Sequence, residues 1–175
     1  MSSQRQCQES VSPAGFSCYI FDLQGRVLIT RRSLGKETWP GVWSNSVCGH
    51  LDADEPLEAA VKRRSAFELG VVVDQVELLM EDFNYRADDA DSTQEQGYRP
   101  VLRAMTYGTP SPEPAEVMEW QWVNAEAVLG SARAAPFVYS PWMVAQLQAI
   151  LVRGLYLRWL GGKKNRRLGP LPHCW

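Results

Sequence analysis

A chain of 175 residues with a net charge of −2 can bury a sizeable core as one domain, and it is too nearly neutral to suggest a nucleic-acid or membrane-surface partner. Hydrophobic residues make up 45% and charged residues 22%, an ordinary balance for a soluble globular protein, and no apolar run reaches the ~18 residues of a transmembrane helix. The polar start, MSSQRQCQESVSPAG, lacks an apolar signal core and is expected to be disordered over residues 1–15. Four widely spaced cysteines (Cys7, Cys18, Cys48, Cys174) form no CxxC pair, so reduced thiols and a cytoplasmic location are expected.

Phe16–Phe21 and Arg26–Thr30 read as strands joined by Asp22-Leu23-Gln24-Gly25, a hairpin with glycine in its turn. Arg31–Trp39 reads as a basic loop. Asp54–Leu69 is predicted as a helix, because Leu57, Ala60 and Val61 recur at helical spacing and Gly70 supplies a stop. Gln75–Tyr85 and Tyr98–Tyr107 are strand-like, Thr109–Ala115 is a Pro-rich surface loop, and Met118–Val123 is a short strand. Ser140 and Pro141 open the last helix as N-cap and first helical residue, and it is expected to run to about Leu160. Residues 161–175 form a basic tail with Gly and Pro, expected to be solvated. The order is β-rich with interspersed helices and has no internal repeat. It predicts an α/β (α+β) domain over residues 16–160, a mixed sheet flanked by helices.

The densest chemistry lies in Trp39-Pro40-Gly41-Val42-Trp43-Ser44-Asn45-Ser46-Val47-Cys48-Gly49-His50, with two Trp, a Cys and a His in one short run. A thiol beside an imidazole suits proton transfer or metal ligation, yet a free Cys is usually a small buried hydrophobe. The whole chain has two His, His50 and His173, so one copy cannot build a three-His site. Arg64 and Glu68 are four apart and share a helix face, which by itself reads as a surface ion pair. Arg31, Arg32 and Lys36 precede Trp39. Arg offers a planar fork for phosphate oxygens and Lys a mobile point charge, although most charge runs are solvated faces.

With its flanks, WPGVW…NSVCGH resembles the type I isopentenyl diphosphate isomerases, which have a Nudix-like fold, over roughly residues 16–150. Gly49–Val71 fits a degraded Nudix box: Gly49, Glu55, Arg63, Glu68 and Gly70 fall in place, while Arg64 and Phe67 occupy positions that are acidic in the hydrolases. A diphosphate hydrolase needs several oxygen ligands for its metal, so hydrolysis is disfavoured. The resemblance implies that Arg32, Lys36 and Arg64 bind diphosphate and that Glu68 meets Mg²⁺. It implies that Cys48 moves a proton on one face of the substrate's double bond and that Tyr85 lies near the reacting carbons. Trp142 matches an aromatic that stacks over a carbocation, an attraction of about 2 kcal/mol or more without water; a core Trp is the alternative. His50 matches a metal-binding His, with a structural His as the alternative.

The pattern also breaks. The family's metal site has three His and two Glu. Glu95 matches the first Glu, but the second, also an acid–base group, falls at Gly97, and the other two His fall at Gln6 and Pro13. Two ligands are too few for a tight site. The expected cofactor is therefore Mg²⁺ arriving weakly with a diphosphate substrate, with no tightly bound transition metal. Glu95, its carboxyl raised by an apolar pocket, could replace the lost acid, or Tyr85 or Tyr98 could relay a proton. Gly97 and Pro13 are smaller and less polar than the groups they replace, so a wider, more apolar pocket is expected, open to a longer prenyl chain. The expectation is proton-initiated carbocation chemistry on a small-molecule isoprenoid, diverged towards cyclisation. Ordinary isomerisation at reduced efficiency and a silent prenyl-diphosphate-binding protein are the alternatives.

Overall fold

Every residue of the first strand, β1 (Phe16–Phe21), is buried, and a strand buried on both faces must lie inside its sheet. Side chains alternate across it. Phe16, Cys18 and Ile20 join one apolar cluster, and Tyr19 and Phe21 join another on the opposite face. The computed structural model describes residues 15–88 and 94–162, with side chains for all of these except 85–98.

The sheet runs β3 (Trp43–Ser44), β2 (Val27–Arg32), β1, β8 (Val101–Thr106), β5 (Val73–Met80), with β4 (Val47–Gly49) also on β1 and β9 (Val117–Val123) also on β2. β1 and β8 are parallel, and the other pairings are antiparallel. Helix α1 (Leu57–Leu69) covers one face of this mixed sheet, and α2 (Ala125–Ala134), α3 (Pro141–Val152) and the short α4 (Tyr156–Trp159) cover the other. β6 (Asn84–Asp88) and β7 (Gln94–Tyr98) form a separate hairpin.

On one edge β1 changes partner along its length. Residues 16–18 pair with β4, and Phe21 pairs with β2. Between these pairings Ser46 replaces the ladder: Ile20 N donates to its hydroxyl at 2.7 Å, and the hydroxyl donates to Leu28 O at 2.6 Å. Buried main-chain groups need such partners wherever strands part. Thr30 Oγ1 donates across the same gap to Asn45 O at 3.0 Å.

The first hairpin forms as its sequence predicts. Asp22 Oδ1 accepts from Gln24 N and Arg26 N, and Gly25 takes φ 73°. Other boundaries differ. α1 starts at Leu57, not Asp54, because Pro56 occupies its N-cap position, and Gly70 ends it in the left-handed conformation. The predicted strand Gln75–Tyr85 is two strands, β5 and β6, and the predicted strand Tyr98–Tyr107 is shortened to β8 beyond Pro100. Arg31 and Arg32 belong to β2 and not to a loop. α2 was not anticipated; Asn124 caps it by accepting from Glu126 N and Ala127 N. The last helix stops at Val152, and Gly154, with φ 65°, turns the chain before α4. Ser140 does occupy the N-cap position of α3, but its hydroxyl pairs with Ser44 Oγ at 3.0 Å.

Candidate active site

Cys48 stands opposite Ser17 in the β1–β4 ladder. Its thiol donates to Asn45 Oδ1 at 3.2 Å, and its sulfur lies 3.4 Å from Ser17 Oγ. The same Asn45 oxygen accepts from Trp142 Nε1 at 2.9 Å and from Ser44 Oγ at 3.1 Å. Asn45 Nδ2 donates to Cys18 O at 3.1 Å and Val47 O at 2.9 Å. With both amide hydrogens spent on carbonyls, the amide can face only one way, oxygen towards thiol and indole. Sulfur and indole nitrogen are therefore held within about 6 Å of each other. Burial raises the Cys48 thiol above its ordinary value, against the hydrogen bonds of Ser17 and Asn45 and the charge of Arg99. Burial therefore favours the protonated thiol over the thiolate, which suits a proton donor better than a nucleophile.

Cys48 and Trp142 line a cavity of about 650 Å³ together with Arg32, Lys36, Arg64 and Glu68; that size suits a small-molecule site, typically ~300–1,000 Å³. Arg32 ends β2. Its guanidinium donates to Thr38 O at 2.8 and 3.1 Å and to Trp39 O at 3.1 Å, and lies 5.2 Å from the centroid of the Trp142 ring. Trp39 meets Trp142 edge to face at 5.7 Å, and its own backbone takes φ 44°, a region few residues other than glycine enter. Lys36 Nζ pairs with Glu116 Oε2. Arg64 holds Glu68 through Nε, at 2.9 Å, and Nη2, which also lies 3.8 Å from Glu116 Oε2. Arg64 can cross β4 because position 49 is glycine: a Cβ there would come 2.8 Å from Arg64 Cγ. Glu68 is buried, and burial raises its carboxyl despite Arg64 beside it. The Arg64–Glu68 ion pair expected from their spacing is present, and both its members face the cavity.

The remaining positions divide cleanly. His50 lines the same cavity, and its carbonyl accepts from Arg63 at 3.2 Å. Glu55 and Arg63 brace the turn ahead of α1, Arg63 donating to both Glu55 oxygens at 2.7 Å while Glu55 accepts from Asp52 N. The side chains of Tyr85, Glu95 and Tyr98 lie outside those described, as do Gln6 and Pro13. The backbone sets Tyr85 opposite Gly97 and Ala87 opposite Glu95. Among the described residues the lining is mostly polar and charged; the wall expected to widen at Gly97 and Pro13 lies outside the described side chains. Sequence reasoning missed Glu116, Asn45 and Ser17. Asn45 lay within the quoted motif, but nothing in the sequence marked Glu116, just past the Pro-rich loop, as the partner of Lys36.

Among the described residues no three His, Cys, Asp or Glu gather closely enough to hold a metal ion. The cavity offers oxygen donors, Glu68 and Glu116, among cations. Those carboxylates suit Mg²⁺ carried in by a diphosphate, which needs only one or two protein carboxylates, and the side chain of Glu95 lies outside those described.

Sheet, helices and cavity together define a Nudix domain, and the NUDIX domain family matches residues 11–143. Solved structures agree on the fold. A Deinococcus radiodurans protein superposes with a TM-score of 0.61 at 19% identity, covering 85% of this chain and 91% of that one, and a MutT protein from Methanosarcina mazei Go1 gives 0.56 at 17%, covering 81% and 94%. The chain belongs, within that fold, to the isopentenyl-diphosphate Delta-isomerase family. It is 48% identical over 132 residues to the Clavibacter michiganensis isomerase, covering 75% of this chain and 68% of the relative. The isomerase of Agromyces mediolanus is 46% identical over 153 residues, covering 87% and 71%, and that of Citrobacter koseri 49% over 131, covering 75% and 72%. Among the described residues no helix is long and apolar enough to cross a membrane.

Proposed function

We propose that this protein protonates an alkene of an isoprenoid diphosphate from Cys48 and so starts carbocation chemistry in the cavity. One observation carries the reading: the Cys48 thiol and an indole are fixed on the same amide oxygen, in a cavity that also presents Arg32, Lys36 and Arg64. The three cations bind the diphosphate. Cys48 gives its proton to one alkene carbon, and positive charge develops on the neighbouring carbon beside the Trp142 ring. Trp39 and Trp142 keep water from that carbon. Mg²⁺, when it accompanies the diphosphate, neutralises phosphate charge, and Glu68, with His50 nearby, would hold it. Residues 16–160 act as the catalytic domain, in the cytoplasm and on a small-molecule substrate, without nucleic-acid or membrane partners.

The cation then has two fates. Loss of a neighbouring proton gives an isomer, as the family name describes; with Cys48 as the donor, Glu95 would have to be ionised to take that proton, directly or through Tyr85 as a relay. Capture by a second alkene of a longer chain gives a ring. Cyclisation is favoured by Gly97, which lacks the side chain of the family's second acid–base group. Incubation in D₂O with prenyl diphosphates of increasing length separates these outcomes by product mass and structure. An isomer or a cyclised skeleton that has gained deuterium at the protonated carbon is expected. Phosphate release with the alkene intact, or binding without deuterium incorporation, would overturn the reading.

A further inference from the structure

Asn45 holds the Cys48 sulfur from one side, and a second chain of side chains reaches it from the other. Tyr19 OH donates to Gln146 Oε1 at 3.0 Å, Gln146 Nε2 donates to Ser17 Oγ at 2.8 Å, and Ser17 Oγ lies 3.4 Å from the sulfur. Tyr19, Gln146 and Ser17 are all fully buried. Ser17 and Tyr19 are two apart on β1 and share its face towards α3. Trp142 and Gln146 are four apart on α3 and share a helix face. One face of one helix thus meets the thiol twice, through Trp142 and Asn45 and through Gln146 and Ser17.

The hydrogens give the chain a direction. Tyr19 spends its only hydrogen on Gln146 Oε1, which leaves the Gln146 amide nitrogen for Ser17. Ser17 Oγ therefore accepts, and its own hydrogen remains for the sulfur. The thiol hydrogen is already directed to Asn45. Every member is satisfied in this arrangement, as buried polar side chains must be to avoid a desolvation cost. An apolar trio would pack the same space without that requirement, so the placement of three polar groups behind one thiol calls for a role.

We propose that Ser17 and Gln146 are positioning residues that lock the Cys48 side chain in one rotamer, its sulfur pinned between Ser17 and Asn45 at a fixed place beside Trp142. The proposal deepens the reading of Cys48 as proton donor and rests on it, because a donor that swings between rotamers reaches the alkene only part of the time.

Two near-isosteric substitutions test it. Ser17→Thr keeps the hydroxyl and Ser17→Val removes it, with the same branching on the same strand. Ser17→Val is expected to lower kcat at least ~10-fold relative to Ser17→Thr, with KM unchanged because Arg32, Lys36 and Arg64 are untouched. Gln146→Met, which fills the volume but cannot donate, should act in the same direction more weakly, and it serves if the Ser17 variants do not fold. The second readout needs no substrate. In protein labelled with ¹³C-cysteine, the Hα–Hβ couplings of Cys48 should show one rotamer in the wild type and Ser17→Thr, and averaging in Ser17→Val. Equal kcat and equal couplings for Val and Thr would overturn the proposal. If Cys48→Ala keeps its turnover while the couplings still separate Val from Thr, the proton-donor reading fails and the positioning of the thiol stands.

Discussion

The two sides of the cavity are built by different physics. Around Cys48, neutral side chains are held by buried hydrogen bonds, with Asn45 alone joining Cys48, Trp142, Ser44 and two main-chain carbonyls. Around Arg64 and Lys36, charged groups pair with the carboxylates Glu68 and Glu116, and those partners can be exchanged for an anionic ligand. The first side is fixed before any ligand arrives. The second is provisional, since a diphosphate offers its cations the same chemistry as the carboxylates they already hold. On the proposed function, position is set by neutral bonds and affinity by charge.

The largest effect should come from the fixed side. Cys48→Ala is expected to lower turnover by at least ~100-fold, the scale of a positioned proton donor, while the protein stays folded. Near-wild-type rates in a folded variant would remove Cys48 from the chemistry. Asn45→Leu should cost both stability and activity. It removes the acceptor of the Trp142 N–H and a donor to two strand carbonyls, and a buried polar group left without a partner costs about 1–3 kcal/mol; a denaturation midpoint near the wild type would break this contrast.

On the provisional side the effects should be smaller and fall on KM. Lys36→Ala is expected to raise KM about tenfold with kcat little changed, while Glu116→Gln, which frees Lys36 from a competing carboxylate, should lower KM. Added salt should mimic Lys36→Ala. A fall in kcat of the same size as the rise in KM would show that the cations set geometry as well as affinity.

Gly97→Glu tests the direction of divergence. If the pocket has been rebuilt for a larger isoprenoid, the new carboxylate fills needed space and native activity falls without gain in isomerisation, which is the expected result. A clear increase in isopentenyl-to-dimethylallyl conversion would show a weakened isomerase instead. The smallest effect concerns Glu55, whose carboxyl Arg63 and the Asp52 N–H hold down at about 2. A carboxyl lowered by folding stabilises the protein above its unfolded value and stops doing so as pH falls through its folded one. The stability difference between wild type and Glu55→Gln should therefore be full near neutrality and shrink as pH approaches about 2.

Local signals carried far into the fold. Gly25 and Asp22 fixed the first hairpin, Gly70 the end of α1, and Pro141 the start of α3, because each acts on the backbone within a few residues of itself. The failures share a cause as well. α2 has only ten residues, and its buried positions, Ala125, Val128, Leu129 and Ala132, include two alanines, too weak a hydrophobic stripe to stand out. The strand break near Glu81 and the helix break at Gly154 depend on how the chain must turn to cover the core. In the site, Arg32, Lys36, Cys48, Arg64, Glu68 and Trp142 were legible through a family resemblance and do meet at one cavity. Ser17, Gln146 and Glu116 were not. Each matters through a partner between 31 and 129 residues away, and no local pattern announces such pairings.

Trp39 holds an unfavourable backbone angle next to the cavity, in a turn whose carbonyls at 38 and 39 are grasped by Arg32. Such a conformation costs roughly 1–3 kcal/mol and persists only while its surroundings enforce it. A ligand that draws the Arg32 guanidinium towards itself loosens that grip, so occupancy of the cavity and the shape of the turn are linked quantities. Linkage runs both ways: whatever stiffens the turn in its present form weakens the hold of Arg32 on an anion, by the same factor that the anion relaxes the turn. A substitution such as Trp39→Gly, which makes the angle ordinary, would alter ligand affinity through the backbone as well as through the lost ring.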